Sequence, residues 1–591
     1  MFSKLAVKNV GRSFRDYGVY FLTVAFGVCL FYVFNALETQ TVLQYLSGNQ
    51  RQDLVDSIMR LIGMLSVFVW VVLAFLILYA SGFLVRRRSR ELGTYLLLGM
   101  ERRQVAGLLL AETAFTALTA LAVGLALGVV LSQALSVFTA GLFAVPQTAF
   151  RFSVSVPALV RTALAFVGIF LLVMVCHTLS LFRKRLIDLL RANRTNQELK
   201  ARSLGASVAL FLVGCALLGV AYAMLLIRGM LRVDALFWVM IGLGSLGTLL
   251  FFRGLSGFLL RLCQGSKKLY YKGLNLFILR QFNAGINTTY RSMTVICLML
   301  LLAIGITATS VGLNNTVERM TEEAQPWSVE LTVWPEEEGQ AMDLPAALAE
   351  RGFDPDRWCG PWAAFPLCRD SQGEFGLREA DYAALESAWG TERAQAFLKH
   401  QGAEVLPNDD GGAYTAVLWH FLADYAGDPQ GAEEAFLAAV SDLTNTGGYS
   451  YSTKQAAWMD LMGTKVLVLF IGLYLGVVFL VASAAVLALQ QLSQAADSAG
   501  RYQILSRLGV SERDRGRSVD VQVFLAFFLP LALALIHAVV GMTAANEIIA
   551  QVGRVDVGAS GAVTALLLVA VYGGYFLATC WGSRRMLRAS A

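Results

Sequence analysis

Long apolar runs, broken by short polar punctuation, set the pattern of this chain. Each run is about the 20 residues a helix needs to cross a hydrocarbon core of about 30 Å, where lipid offers the backbone no hydrogen-bond partner. Ten such runs occur, at 18–35, 61–85, 105–131, 159–182, 205–227, 235–252, 293–313, 466–489, 521–540 and 561–581. Between the seventh and eighth the period changes. There, 328–334 alternates apolar and polar positions as a strand does, and 344–351, 391–400 and 432–443 repeat at helical spacing. The pattern predicts an α-helical integral membrane protein with ten transmembrane helices and a small α/β domain between helices 7 and 8.

Composition and charge sharpen that division. Hydrophobic residues make up 56% and charged residues 15% of 591 residues, too apolar a balance for a chain surrounded by water. Residues 314–460 hold 26 Asp and Glu against 8 Lys and Arg, a net of −18, so the remainder of this +6 chain carries +24. The positive charge gathers in short loops: Arg86, Arg87, Arg88, Arg90, Arg102 and Arg103 after span 2, Arg183 to Arg202 after span 4, and Arg501, Arg507, Arg513, Arg515 and Arg517 after span 8. Cationic loops stay on the cytoplasmic side, which places both termini there and the acidic block outside. Span 1 follows an amphipathic stretch, 2–17, instead of a short basic region, so no removable signal peptide is expected. Most of the eight cysteines lie in or beside spans, where a thiol is a small apolar filler. Cys359 and Cys368, near Pro361 and Pro366 in the outer block, could form a disulfide, with two reduced thiols as the alternative.

An internal repeat is visible. Leu5-Ala6-Val7-Lys8-Asn9-Val10 before span 1 answers to Phe277-Ile278-Leu279-Arg280-Gln281-Phe282 before span 7. The loop Arg90-Glu91-Leu92-Gly93-Thr94-Tyr95-Leu96-Leu97-Leu98-Gly99 after span 2 answers to Arg501-Tyr502-Gln503-Ile504-Leu505-Ser506-Arg507-Leu508-Gly509 after span 8. Two four-helix copies follow: 1–200 (amphipathic helix and spans 1–4) and 271–591, joined by spans 5 and 6 at 201–270. The second copy is interrupted by the acidic block at 314–460, after the amphipathic helix and span 7 at 271–313, and is completed by spans 8–10 at 461–591. In the first copy the equivalent outer loop is only about 36–60.

Each repeated loop predicts a short amphipathic helix closed by Leu-Gly as a C-cap, suited to docking in a groove on a soluble partner. For one loop alone a plain cationic turn is the simpler reading; its recurrence at equivalent positions favours coupling. The candidate coupling residues are Arg90, Glu91, Tyr95, Leu96, Leu98 and Gly99 in the first loop, and Arg501, Leu505, Leu508, Gly509 and Glu512 in the second.

The Arg90-Glu91 to Leu98-Gly99 loop followed by a span resembles the FtsX-like permease superfamily of ABC transporters. Ten spans with the soluble domain between the seventh and eighth are similar to the BceB-type permeases of bacitracin and lantibiotic resistance. The stretches Leu5 to Thr23 and Leu279 to Leu300 are close to that pattern. The resemblance implies two FtsX-like repeats plus a central pair. It also implies a permease that senses and confers resistance to antimicrobial peptides. An ABC ATPase dimer would drive it, with ATP-Mg bound on that partner and no cofactor in this chain. Its further partners would be a membrane histidine kinase, a cationic peptide antibiotic or a lipid-linked cell-wall precursor, and the bilayer, with no nucleic acid. The second loop departs from the first in carrying Arg501 where Glu91 stands.

Catalytic chemistry is not legible. No phosphate-binding Gly-x-x-x-x-Gly-Lys-Ser/Thr loop occurs, Gly463-Thr464-Lys465 lacking the preceding glycine, so ATP hydrolysis is expected of another chain. His177, His400, His420 and His537 show no ligand spacing, and no metal site is expected. His177 and His537 fall within spans, where a hydrogen bond to a neighbouring helix is the plain reading and a functional role the sharper one. Pro530 predicts a kink in span 9. Trp327, Trp334, Trp358, Trp362, Trp389 and Trp419 could line docking faces or, more simply, the core of the outer domain. Two other functions stand beside the transporter: a non-transporting regulator of a cell-wall hydrolase, and a permease that extrudes lipids or lipoproteins.

Overall fold

The computed structural model describes residues 14–39, scattered positions of 63–85, 88–142, 152–183, 204–229, 234–265, 271, 273–370, 373–407, 414–441, 448–457, 471–549 and 557–588. The N-terminal amphipathic stretch before residue 14, the basic run after residue 183, Asp409-Asp410 and Gly463-Thr464-Lys465 lie outside the described residues. The chain divides into two compact units, 1–315 with 466–591, and 316–465.

Unit one is helical: α1 (Phe14–Asn35), α2 (Ser89–Leu97), α3 (Arg102–Leu142), α4 (Val156–Arg183), α5 (Leu204–Arg228), α6 (Ala235–Gly265) and α7 (Asn275–Ala324, which ends beyond the boundary of the unit) come first. Among the described residues, eight helices of the chain are long and apolar enough to cross a membrane, and the chain is a multi-pass membrane protein. Two shorter apolar helices, Tyr20–Asn35 and Val69–Gly82, fall where the sequence placed spans 1 and 2. Small residues let backbones close on one another, since lipid supplies no hydrophobic drive between helices. A Cβ on Gly124 of α3 would lie 2.5 Å from the Ala25 carbonyl oxygen of α1, so that crossing tolerates nothing larger.

Unit two carries a mixed sheet with helices on both faces: β1 (Val329–Trp334), α8 (Leu344–Glu350), α9 (Pro355–Trp358), β2 (Cys359–Arg369), β3 (Phe375–Arg378), α10 (Glu379–Trp389), α11 (Thr391–Gln401), β4 (Glu404–Leu406), β5 (Thr415–Tyr425), α12 (Pro429–Ser441) and β6 (Gly448–Thr453). The strand order is β4-β3-β2-β5-β1-β6, antiparallel except for the parallel β3–β4 pair. β5 is buried on both faces because its side chains alternate between two cores. Phe421 and Ala423 join Val329, Leu331 and Val333 under α8 and α12, while Leu422 joins Phe365, Leu377, Phe397 and Leu398 under α10 and α11. Trp327 is core, Trp358, Trp362, Trp389 and Trp419 pack against it, and Trp334 is exposed.

Of the two readings of Cys359 and Cys368, a disulfide or two reduced thiols, the structure has the second. The two thiols are free and sit at opposite ends of β2. Nine steps along the strand separate them by about 30 Å, several times the reach of a disulfide. Burial pushes the Cys359 thiol up to about 12, helped by the charges of Asp424, Asp354 and Asp356, and burial raises Cys368 as well.

The chain after unit two adds α13 (Ile471–Arg507), α14 (Glu512–Ile549) and α15 (Val557–Arg588). Among the described residues, α13 is the most enclosed of the eight long apolar helices. Gly472 and Gly476 bring it against Ser310, Thr307 and Ala303 of α7, where a Cβ would collide with both hydroxyls. Pro530 sits inside α14, which continues through it. Tyr572 of α15 donates to the Phe527 carbonyl at 2.8 Å, one residue past the Ala526 carbonyl that the proline leaves without its helical donor. His537 of α14 meets two helices of the central pair, Tyr222 Oη of α5 at Nδ1 and Thr248 Oγ1 of α6 at Nε2, 3.1 Å. An interhelical tie is thus what the structure gives this histidine.

Candidate coupling elbows

The two loops singled out by the repeat fold into the same motif. In the first, α2 ends in a glycine at φ +93°, with Gly99 N donating to the Leu96 carbonyl at 3.2 Å and Met100 N to that of Tyr95 at 3.1 Å. In the second, α13 ends in Gly509 at φ +83°, with Gly509 N donating to Ser506 at 3.0 Å and Val510 N to Leu505 at 3.1 Å. This pair of bonds is the Schellman closure, and its left-handed residue favours glycine because a Cβ there meets the following carbonyl. Both turns then start a long helix with a side-chain cap, made from opposite ends of the first turn. Glu101 N donates to Gln104 Oε1 at 3.1 Å in one, and Asp514 N donates to Ser511 Oγ at 3.1 Å in the other. From Glu91 to Gly99 and from Arg501 to Gly509 the order of exposed and buried positions is the same except at Gly93, buried, and Gln503, exposed.

The elbows differ from expectation in one respect. The second is not a separate short helix but the last turns of α13, which runs unbroken from the span to Arg507.

The candidate residues divide by the direction each faces. Leu98 and Leu508 stand 78% and 73% exposed at the tips, joined by Leu97 and Ile504. Leu96 and Leu505 are half-buried instead, Leu96 and Tyr95 packing on the cluster of Val85, Leu92, Val105, Ala106 and Leu109. The apolar side chains that face outward are therefore Leu97, Leu98, Ile504 and Leu508, and Leu96 and Leu505 face inward. Glu91, Arg501 and Glu512 are exposed.

What holds each elbow was not foreseen. Arg88, at the N-cap of α2, gives Nε to Glu91 Oε2 at 2.8 Å and a terminal nitrogen to Glu112 Oε2 of α3. Arg88 and Glu112 are both buried, and Leu92 is wholly buried beside them. In the second elbow Tyr502 is buried, its hydroxyl 3.0 Å from both Ser518 Oγ and Gln522 Nε2 of α14. Its ring stands edge-on to Phe277 of α7 at 5.3 Å. Gln281 of α7 donates to Ser498 Oγ one turn earlier. Glu112 could have been found in the sequence, since a carboxylate within an apolar run needs a partner. No group of three or more His, Cys, Asp or Glu placed to hold a metal occurs among the described residues.

Residues 63–186 match the FtsX-like permease C-terminal family, a stretch that contains the first elbow with α3 and α4 whole. The chain is 22% identical to the bacitracin export permease protein BceB of Halalkalibacterium halodurans, across 90% of this chain and 92% of that one. It is 23% identical to the ABC transporter permease protein YxdM of Bacillus subtilis, across 91% and 92%. With BceB of Bacillus subtilis it shares 24% identity over 51% of this chain and 47% of that one. Residues 63–186 are thus an FtsX-like permease domain, in a chain similar over nine-tenths of its length to the BceB-type ABC permeases.

Proposed function

We propose that this chain is the permease subunit of an ABC transporter that senses and confers resistance to peptides attacking the cell envelope, driven by a separate ATPase through the two elbows. The observation that carries the coupling role is the elbow built twice, each time with a bare leucine at its tip, Leu98 and Leu508. Two equivalent apolar knobs suit the two halves of an ATPase dimer, whose closure would press both elbows at once. ATP-Mg would be bound there, because this sequence carries no phosphate loop. The cationic loops support a cytoplasmic place for the elbows and both termini, with the acidic unit outside. A net −18 on residues 314–460 would draw in cationic peptides by long-range attraction. Similarity to proteins named as bacitracin export permeases supports the peptide class. A lipid-linked cell-wall precursor and a membrane histidine kinase complete the proposed set of partners.

The test is co-purification of the ATPase with the full chain. Leu98→Asp combined with Leu508→Asp should abolish it, each single change weakening it at least threefold. An ATPase retained by the double variant overturns the coupling role.

A further inference from the structure

The two elbows share a shape but not a fastening. With Leu98 aligned on Leu508, Arg88 falls on Ser498, Leu92 on Tyr502 and Glu112 on Gln522. The two buried charges of the first elbow, Arg88 and Glu112, are thus replaced by neutral groups in the second, and the exposed Glu91 that also holds Arg88 is replaced by a cation, Arg501. We infer that Arg88 and Glu112 are positioning residues that lock the first elbow to α3 throughout the ATPase cycle, whereas the second elbow exchanges partners between α14 and α7. This rests on the coupling role proposed above.

Geometry and energetics agree on the asymmetry. Arg88 is gripped from two sides, by Glu91 on its own helix and by Glu112 on the next, and the Arg88–Glu112 pair is buried. Separating it would leave opposite charges unpaired in a medium of low dielectric, the costliest outcome for a buried pair. The guanidinium also presents its donors as a rigid fork, so the pair fixes orientation as well as distance. The second elbow has hydroxyls and amides in the same place. Tyr502 Oη lies at equal distances from Ser518 and Gln522, and a hydroxyl or amide can trade one neutral partner for another at little net change. The ties of the same helix to α7 are neutral too: Ser498 is held by Gln281 of α7, and Ser292 of α7 donates to Gln490 Oε1 of α13 at 3.3 Å. Gln494 lies against Gly285 of α7. Along this face α13 presents a polar rung every four residues, Gln490, Gln494 and Ser498, to one helix, and Tyr502 to two.

Amide hydrogen exchange on the full permease with its ATPase, with and without ATP-Mg, reads the difference directly. In the unaltered complex, nucleotide should change exchange at 502–509 at least fivefold and at 92–98 less than twofold. Grafting the neutral set into the first elbow, Arg88→Ser with Leu92→Tyr and Glu112→Gln, should make 92–98 respond as 502–509 does. Arg88→Lys, which keeps a cation opposite Glu112, should retain the unresponsive first elbow. Equal responses of the two elbows in the unaltered complex, or a graft whose 92–98 stays unresponsive with the ATPase bound, overturns the inference. An ATPase that never associates with the unaltered chain counts instead against the coupling role.

Discussion

At the scale of single residues, His420 shows what burial does to a titratable group. It is wholly buried on β5, its Nδ1 3.2 Å from Thr332 Oγ1 and 3.8 Å from Glu330 Oε1, and its Nε2 has no partner among the described residues. Phe365 and Phe397 flank the ring. Burial lowers its pKa to about 4, and burial also raises that of Glu330, whose carboxylate accepts from Gln401 at 3.3 Å. At Glu330 desolvation outweighs the attraction of His400. Between pH 6.5 and 4 the unfolded histidine binds a proton that the folded one refuses, so stability falls as pH falls through that window. The full shift corresponds to about 3 kcal/mol. Glu330 acts with the opposite sign, since a raised carboxyl pKa favours the folded state as it protonates, and it offsets part of the loss. The protection of the β5 amides in the full chain, after division by the pH-dependent intrinsic exchange rate, should therefore fall on acidification from pH 7 to 5, and His420→Phe should flatten that dependence. A slope unchanged by the substitution would show that the acid sensitivity arises elsewhere.

At the scale of elements, the Leu-Gly endings were legible because a left-handed C′ residue has a local signature, and both glycines adopt it. The direction of the leucines was not. Helical spacing identifies an apolar stripe but not which edge of it the following helix covers. Leu109, Val105 and Ala106 of α3 cover Leu92 and leave Leu97 and Leu98 bare, and nothing within α2 announces that. In unit two, β1 and the helices α8, α11 and α12 lie where the periodicity put them, because each has one buried face. β2 and β5 were missed: β2 carries Gly360, Pro361 and Pro366, with register shifts at both ends, and β5 is buried on both faces, which erases alternation. The elbows carry their own prediction. No atom crowds the open side of Gly99 or Gly509, so alanine there costs only the backbone conformation, about 1–2 kcal/mol. Gly99→Ala with Gly509→Ala should fray both turns, speeding amide exchange at Gly99-Met100 and Gly509-Val510 by roughly tenfold, while Asn at both sites should do so much less. Equal exchange in the alanine and glycine chains would mean that the turns are held by their surroundings.

For the whole molecule, charge is sorted along the sequence more sharply than any fold requires. A net of −18 on 314–460 and +24 on the remainder is a property of fields, not of pairs. Among the described residues of unit two, the pairs Arg369–Glu338, Arg378–Asp381 and Arg393–Asp424 engage three of its few cations, and most of the acids are exposed. Exposed pairs of this kind contribute little to stability, so the excess acid is not there to hold the domain together. Its effect is to raise the concentration of cationic solutes near the surface, over a range set by a Debye length of about 8 Å at physiological salt. Glu336 and Glu337 are exposed at the end of β1, beside the exposed Trp334, where a cation and an apolar side chain of one peptide can be met together. Replacing both by Gln should leave the fold intact and lower sensitivity to a cationic peptide about two- to fivefold at low ionic strength, the difference shrinking as salt is added. The measurement is the dose of peptide that induces resistance, taken at two salt concentrations. A loss that does not depend on salt would assign these residues to direct contact, and no loss at all would remove the acidic field from the account of sensing.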